Sequence, residues 1–509
     1  MNKKIGAWLV GILWFVPITA HEPTWLLRSS DTLNKQRNIL AGWAASLISS
    51  HSFTLLFNNI SEDFMFKLSE IKAKRVFWNA YASVPAYQDY INKRGPTALH
   101  TFSDIPLTNK TDYIENYPIE QTIKGGKIPF EGNVDQSSGT SGRRTLWIRG
   151  TAEIKNTQRA IYALCNTFLD KEPHVIINML LPCAWSIGLM HGLGPNISEA
   201  YETMKDLGSH QKYLIMGHAS LMKHFVRTCP FDLAQYDVTF LINGEHISRA
   251  LQKSFIAHGV KKVYASYGAS DINSIIGIQE EFAQKLQELC WNNVTIKQDL
   301  TGSENGLPYF FQYNPLNNYI EEINGHLILT DLDHMRLSPR VRYDPGDKGK
   351  ILKMSFVQEI LQKHAIQLTP KAHYPLLCLY GRADDIILFD NAELAFDDLE
   401  LAILNIPALS TSMNRYAYNQ LDTLYGPCLE FWVELKPNLS ATQFDCHTLA
   451  PVVFIELGNI NQIFKRAIEQ AQTKPILKIY DYGKSPMIEE SPLRKTKYVY
   501  HLKHAPLGV

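Results

Sequence analysis

Between residues 150 and 270 the sequence alternates short apolar runs with longer stretches of helical periodicity, and no other feature limits the fold so tightly. EIKNTQRAIYALCNTFLD (153–170) reads as a helix and HVIINMLLP (174–182) as a buried strand. A helix near 198–208 leads to the apolar piece YLIMG, another helix spans 219–228, and VTFLING (238–244) reads as a strand. SRALQKSFIAHG then gives a helix ending in glycine, and KKVYASYG a strand ending in a turn. Strands joined through helices pair in parallel and bury both faces. The expected class is therefore α/β, a large N-terminal domain with layered, mainly parallel sheets. Past residue 325 the texture changes to short strands with turn chemistry, GHLILT and GKILKM, and LYGRADDIILFDN (379–391) opens a smaller α+β C-terminal domain. A chain of 509 residues exceeds one core. The boundaries fall at 1–22, 23–380 and 381–509.

Composition narrows the function. Lys+Arg and Asp+Glu both number 50, with no long basic run, which excludes bulk nucleic-acid binding. The seven cysteines form no CxxC pair and are odd in number, so reduced thiols in a reducing compartment are expected. The start, MNKKIGAWLVGILWFVPITAHE, resembles a secretory signal but is short for a membrane span. The other reading is a helix packed on the protein or resting on a membrane surface. Residues 60–92 carry helical periodicity, with Phe66, Leu68, Ile71 and Val76 expected on the apolar face.

The polar chemistry sits in loops. VDQSSGTSGRRTLWIRG (134–150) gathers Ser137, Ser138, Gly139, Thr140, Ser141 and Gly142 ahead of Arg143 and Arg144. It lacks the Walker spacing, yet its glycines, hydroxyls and arginines suit an anion. Taken alone, it reads equally well as a polar turn. Further down, NGEHISRAL offers Gly244 and Glu245, and YASYGASDI offers Tyr267, Gly268, Ser270 and Asp271. SPRVRYDPGDKG holds Arg340, Arg342 and Asp347; LYGRADDII holds Arg382, Asp384 and Asp385; SPLRKTKYVY holds Lys495 and Lys497. Each has an ordinary reading as well. Glu245 and Arg342 suit a strand-end ion pair, Asp347 a plain turn, Asp384 and Asp385 a solvated surface, and the lysines a basic tail. His191 in WSIGLMHGLG reads more readily as a core or surface histidine than as a substrate contact.

In this order and spacing, from about residue 70 to the end, the segments resemble those of the adenylate-forming (AMP-binding) enzymes, in their phenylacetate–coenzyme A ligase-like branch. SSGTSGRRT is similar to that family's SSGTTGKPT, YGASD to YGxTE or YGxSE, PRVRYDPGD to PxxRYxTGD and GRADDII to GRxDDxI. FSDIPLTNKTDYIENYP (102–118) resembles the branch's lead-in. The resemblance implies activation of an aryl or acyl carboxylic acid with ATP and Mg²⁺, then transfer to a thiol, coenzyme A in the first instance. A carrier-protein or other protein thiol is the alternative acceptor, and a non-catalytic nucleotide-binding relative a further alternative. By the same resemblance, residues 137–143 cradle the β- and γ-phosphates, with Gly244, Glu245, Tyr267 and Gly268 also at the nucleotide. Ser270 touches the α-phosphate, Asp271 helps hold Mg²⁺, Asp347 binds the ribose and Arg382 contacts the nucleotide. Asp384 is the hinge of a mobile C-terminal domain, and Lys497, with Lys495 as second choice, bridges carboxylate and α-phosphate. Trp185 and Tyr264 are expected to line the acid pocket. The resemblance also implies a homodimer, and ATP and coenzyme A imply the cytoplasm. Four departures stand out: Arg143 replaces a lysine, Asp271 a glutamate, and LFDNAEL and PLRKTK each lack a glycine.

Overall fold

In the computed structural model, the described residues are 61–94, 101–136, 145–168, 174–180, 189–244, 247, 249–303, 308–382, 387–389, 392–423, 426–471, 474–487 and 499–500. The apolar segment 1–22 lies outside them. Helix α1 (Glu62–Ser83) is capped by Ser61, whose hydroxyl accepts from the Phe64 amide. Its buried face differs from the expected one. Met65, Ser69, Ala73, Val76, Phe77 and Ala80 face inward, while Ile71 is half exposed. Small residues let the helix approach closely: Ser69 donates to Pro315 O and Lys72 to Leu316 O. Backbone contacts therefore outrank the larger apolar side chains.

The central sheet begins at β1 (Thr108–Asn109), with a separate hairpin of β2 (Asn133–Gln136) and β3 (Leu146–Arg149). After α2 (Thr151–Phe168), the expected alternation follows: β4 (Val175–Asn178), β5 (Leu189–Gly192), α3 (Ile197–Leu207), β6 (Lys212–Gly217), α4 (Ala219–Thr228), β7 (Asp237–Asn243), α5 (Arg249–Ala257) and β8 (Lys262–Ala269). Order β5-β4-β6-β7-β8 is parallel throughout. β7 is buried from Val238 to Asn243, as a strand covered on both faces must be. Asn196 caps α3 by accepting from Glu199 N.

Beyond β8 the same sheet turns antiparallel. β9 (Asn273–Gln279) pairs with β8; α6 (Glu281–Asn292) intervenes before β10 (Tyr309–Tyr313), β11 (Asn318–Ile323), β12 (His326–Asp331), β13 (Tyr343–Asp344) and β14 (Asp347–Leu352); α7 (Met354–Lys363) precedes β15 (Leu376–Arg382). The order β8-β9-β10-β15-β14-β12 is antiparallel at each step, and β13 joins β12 to β1. Strand alternation divides the core. Leu377 and Leu379 face the main core, while Leu376 and Cys378 face a second one under α6 and α7. The register of β14 on β15 shifts between Lys348 and Gly349, which pair with Gly381 and Leu379, so Tyr380 is an extra residue.

A separate core follows. β16 (Ile387–Phe389) and β17 (Ala392–Leu394) form a hairpin, and α8 (Phe396–Leu404) leads to β18 (Met413–Thr423) and β19 (Gly426–Leu435). Helices α9 (Cys446–Ile460) and α10 (Gln462–Gln470) precede β20 (Ile476–Tyr480) and β21 (Val499–Tyr500), in the order β20-β19-β18-β21. Leu399, Ile403, Tyr418, Phe431, Leu457 and Phe464 fill this α+β core. Cys229, Cys290, Cys378, Cys428 and Cys446 are free thiols. No helix among the described residues is long and apolar enough to cross a membrane.

Arg415 and Glu434 tie β18 to β19 with two hydrogen bonds of 2.8 Å, and Ser485 also donates to Glu434. Burial alone would raise the Glu434 carboxyl, but Arg415 and Ser485 outweigh it and hold it at about 2, against 4.5 ordinarily. A depressed carboxyl stabilises the fold above its unfolded pKa and loses that contribution as pH falls through the folded one. Glu434→Gln is expected to lower stability at pH 7, by at most about 3 kcal/mol, and to flatten its dependence between pH 4.5 and 2. Urea unfolding across that range reads it, and an unchanged slope defeats the assignment.

Candidate functional site

β8 carries Val263 and Ala265 on one face, with Tyr267 packed against the same core, and Tyr264 and Ser266 on the other. After Tyr267 and Gly268 the register shifts, and Ser270, Asp271 and Ile272 close the turn into β9. The backbone of this turn is held from behind. Arg149 donates to Ser270 O and to Ile272 O, and Arg340 Nε donates to Asp271 O at 2.7 Å. Three successive carbonyls therefore point at two buried guanidinium groups, and Ser270 stays exposed. Asp271 Oδ2 accepts from the Tyr343 hydroxyl at 2.7 Å; its other oxygen accepts no hydrogen bond among the described residues. Arg340 is sandwiched by rings, 4.8 Å from the Trp147 centroid and 5.6 Å from that of Tyr343.

Asp347 reaches the same edge from β14. The turn before it is set by Asp344, whose Oδ1 accepts from Gly346 N, and Gly346 has φ +86°, a conformation side chains disfavour. Tyr267 donates its hydroxyl to Asp347 Oδ2 at 2.6 Å, and its ring lies 5.9 Å from Phe311. Asp347 stands opposite the Arg382 backbone in the β14–β15 register. Gly244, φ +77°, follows the last β7–β8 pair, Asn243 with Ser266. Tyr267, Gly268, Ser270, Asp271, Asp347 and Gly244 are thus gathered at strand ends on one side of β8, where the sheet changes from parallel to antiparallel.

The remaining residues singled out in the sequence stand apart from this edge or outside the described residues. Arg342 does not stand at this edge; with φ +45° it turns to Glu321 Oε2 at 2.9 Å and to the carbonyls of Ser103 and Ile105. Tyr264 is buried on the other face of β8 from Tyr267, and its hydroxyl donates to Glu281. His191 is an exposed residue of β5, 3.0 Å from the Thr203 hydroxyl. Ser137 to Arg144, Trp185, Glu245, Asp384, Asp385, Lys495 and Lys497 lie outside the described residues, as does the Arg382 side chain.

Three participants went unnoticed in the sequence: Arg149, Glu153 and Tyr343. Arg149 holds Glu153 Oε1 at 2.9 Å and Asp135 Oδ2 at 3.1 Å, and Leu337 N donates to Glu153 Oε2. Arg336 stands 3.4 Å from Glu153 and 3.0 Å from Asp331. Burial opposes the charge on Arg149, but Glu153 and Asp135 outweigh it and raise its pKa. Burial also opposes the charge on Glu153, yet Arg336 and Arg149 keep its pKa below the ordinary value. Asp331 goes the other way, pushed up to about 6 by burial against the pull of Arg336. The only sequence signal was the i,i+4 spacing of Arg149 and Glu153 across a strand–helix junction.

No group of three or more His, Cys, Asp or Glu able to hold a metal occurs among the described residues. A single carboxylate such as Asp271, with one oxygen uncommitted, fits a hard cation that takes its remaining ligands from phosphate and water.

No family model matches this chain, and no curated protein sequence matches it. Solved structures do resemble it. 2-Hydroxyisobutyryl-CoA ligase in its postadenylation state, with an acyl-AMP bound, aligns with TM-score 0.63 at 12% identity, over 87% of this chain and 91% of that one. An open form of the same ligase, in complex with 2-HIB-AMP and CoA, gives TM-score 0.51 at 13% identity, over 85% and 90%. The acyl acid amido synthetase GH3.15 gives 0.52 at 12%, over 82% and 86%. The chain therefore has the fold of the adenylate-forming ligases, large sheet domain and C-terminal domain included.

Tyr343→Phe removes the one donor to Asp271. Because Asp271 is only partly buried, water can replace part of that bond, and a stability loss of about 0.5–1.5 kcal/mol is expected. Urea unfolding at pH 7 measures it; a variant as stable as the parent denies the bond any weight.

Proposed function

We propose that this protein activates a carboxylic acid with ATP and passes the acyl group to a thiol, coenzyme A in the first instance. The observation that carries this reading is the meeting of Tyr267, Ser270, Asp271 and Asp347 at one sheet edge of an adenylate-forming fold. In the first step a carboxylate oxygen attacks the α-phosphorus, and pyrophosphate leaves. In the second a thiol sulfur attacks the acyl carbonyl, AMP leaves, and the thiol proton passes to solvent.

The residues suit these tasks. Two anions must approach, so the site needs positive charge and directed donors. Ser270 offers a free hydroxyl for the α-phosphate, and Asp347 a carboxylate for two ribose hydroxyls. Tyr267 already donates to Asp347 and so fixes its orientation. Asp271 would hold Mg²⁺, which when bound neutralises phosphate charge. The hydroxyl–glycine segment 137–143, with Gly244, Glu245, Gly268 and Arg382, completes the nucleotide contacts. Lys497, or Lys495, bridges the carboxylate and the α-phosphate. The C-terminal domain beyond residue 380 turns about Asp384 between the two steps. Membership of the phenylacetate–coenzyme A ligase-like branch, a homodimer and a cytoplasmic location belong to the same reading.

Acid-dependent ATP–pyrophosphate exchange, screened over aryl and acyl carboxylates, is the direct test. At least one acid is expected to stimulate exchange, and Asp347→Ala to lower it by at least about tenfold. Silence across a broad panel sinks the reading. Adding coenzyme A and a carrier protein separately then identifies the acceptor.

A further inference from the structure

We propose that Arg149 is a positioning residue that sets the gap between the β2–β3 hairpin and the Ser270–Asp271 turn, and through it the affinity for MgATP. This rests on the adenylating reading above. Arg149 ends β3, and Asp135 in β2 lies across the hairpin from Trp147, its neighbour but one. One guanidinium therefore bonds to both strands that flank positions 137–144: it belongs to one and holds the Asp135 carboxylate of the other. The same group donates to Ser270 O and Ile272 O, 121 and 123 residues further along the chain. Glu153, in the first turn of α2, fixes the remaining side of it and is in turn held by Arg336 and Leu337 N.

A guanidinium is the one side chain able to do this. Its five N–H donors lie in a rigid plane, so carbonyl and carboxylate acceptors are held at fixed mutual angles. A lysine ammonium could replace the charge but not the plane. Arg340 shares the turn, gripping Asp271 O, yet it donates only to carbonyls and the Ser338 hydroxyl and touches neither strand of the hairpin through a hydrogen bond. Loss of Arg149 thus removes the hydrogen-bonded tie between turn and hairpin, and leaves only the Arg340 grip on the turn with its stacking on Trp147 of β3. A polyphosphate held between the two would lose its fitted span. The later thiol step, which uses an adenylate already formed, would lose little.

The test compares Arg149→Met, Arg149→Lys and Asp135→Asn with the parent protein. Arg149→Met is expected to raise KM for MgATP in the exchange reaction by about tenfold or more. Thioester formation from supplied acyl-adenylate should stay within about twofold. Arg149→Lys should fall between, and Asp135→Asn, which loosens only the hairpin arm, should raise KM by a few fold. An unchanged KM in Arg149→Met, or an equal loss in both steps, overturns the proposal, the latter marking a merely structural role. If Arg149→Met does not fold, parental KM values in both other variants overturn it. MgATP affinity by calorimetry decides the matter without turnover. A parent that binds MgATP but exchanges with no acid defeats the adenylating reading alone, because the variants' affinities still test Arg149. A parent that binds no nucleotide defeats both.

Discussion

The site hangs on a set of buried charges that neutralise one another. Arg149, Glu153, Arg336 and Asp331 are almost wholly removed from solvent, and each alone would be costly to bury. Together they alternate in sign, and they join segments far apart in sequence: the hairpin, the first turn of α2 and the connection after β12. Their strength comes from mutual dependence. Most members have two partners of opposite sign, Glu153 between Arg149 and Arg336 and Arg149 between Glu153 and Asp135, so the loss of one weakens the set without leaving every neighbour unmatched.

Sheet architecture explains why this charge set lies where it does. The parallel strands end at β8, and β9 runs back beside it, which makes a tight turn where a parallel sheet would need a helical crossover. Side chains meet the carbonyls of that turn. Arg149 comes from one direction and Arg340 from the other. The rings of Trp147 and Tyr343 exclude water around Arg340 and fix its plane, while burial works against its charge and lowers its pKa.

The parallel half of the molecule was legible in the sequence because each strand is short, apolar and separated by a helix of matching period. The antiparallel half was less so. β9 and β10 were not singled out, since pairing in a mixed sheet depends on partners far along the chain. The buried face of α1 was misjudged for a related reason: Ser69 and Lys72 bond to backbone carbonyls at Pro315 and Leu316, and nothing near them in sequence signals this. For the site, order of motifs picked out Tyr267, Ser270, Asp271 and Asp347, which do meet. Arg342, for which an ion pair was one reading, pairs with Glu321 through a left-handed backbone, and Arg149, at the end of the 134–150 segment, was given no role.

The extra residue on β15 has one more consequence. Tyr380 is the last residue but two of the final strand of the large sheet, and past it the chain leaves for the second core. Because side chains alternate in direction along a strand, dropping one residue there would turn Gly381 and Arg382 through half a period. A single-residue insertion or deletion here would turn these side chains to the wrong face, and the lineage of this chain should show constant length between Asp347's partner strand and the C-terminal core.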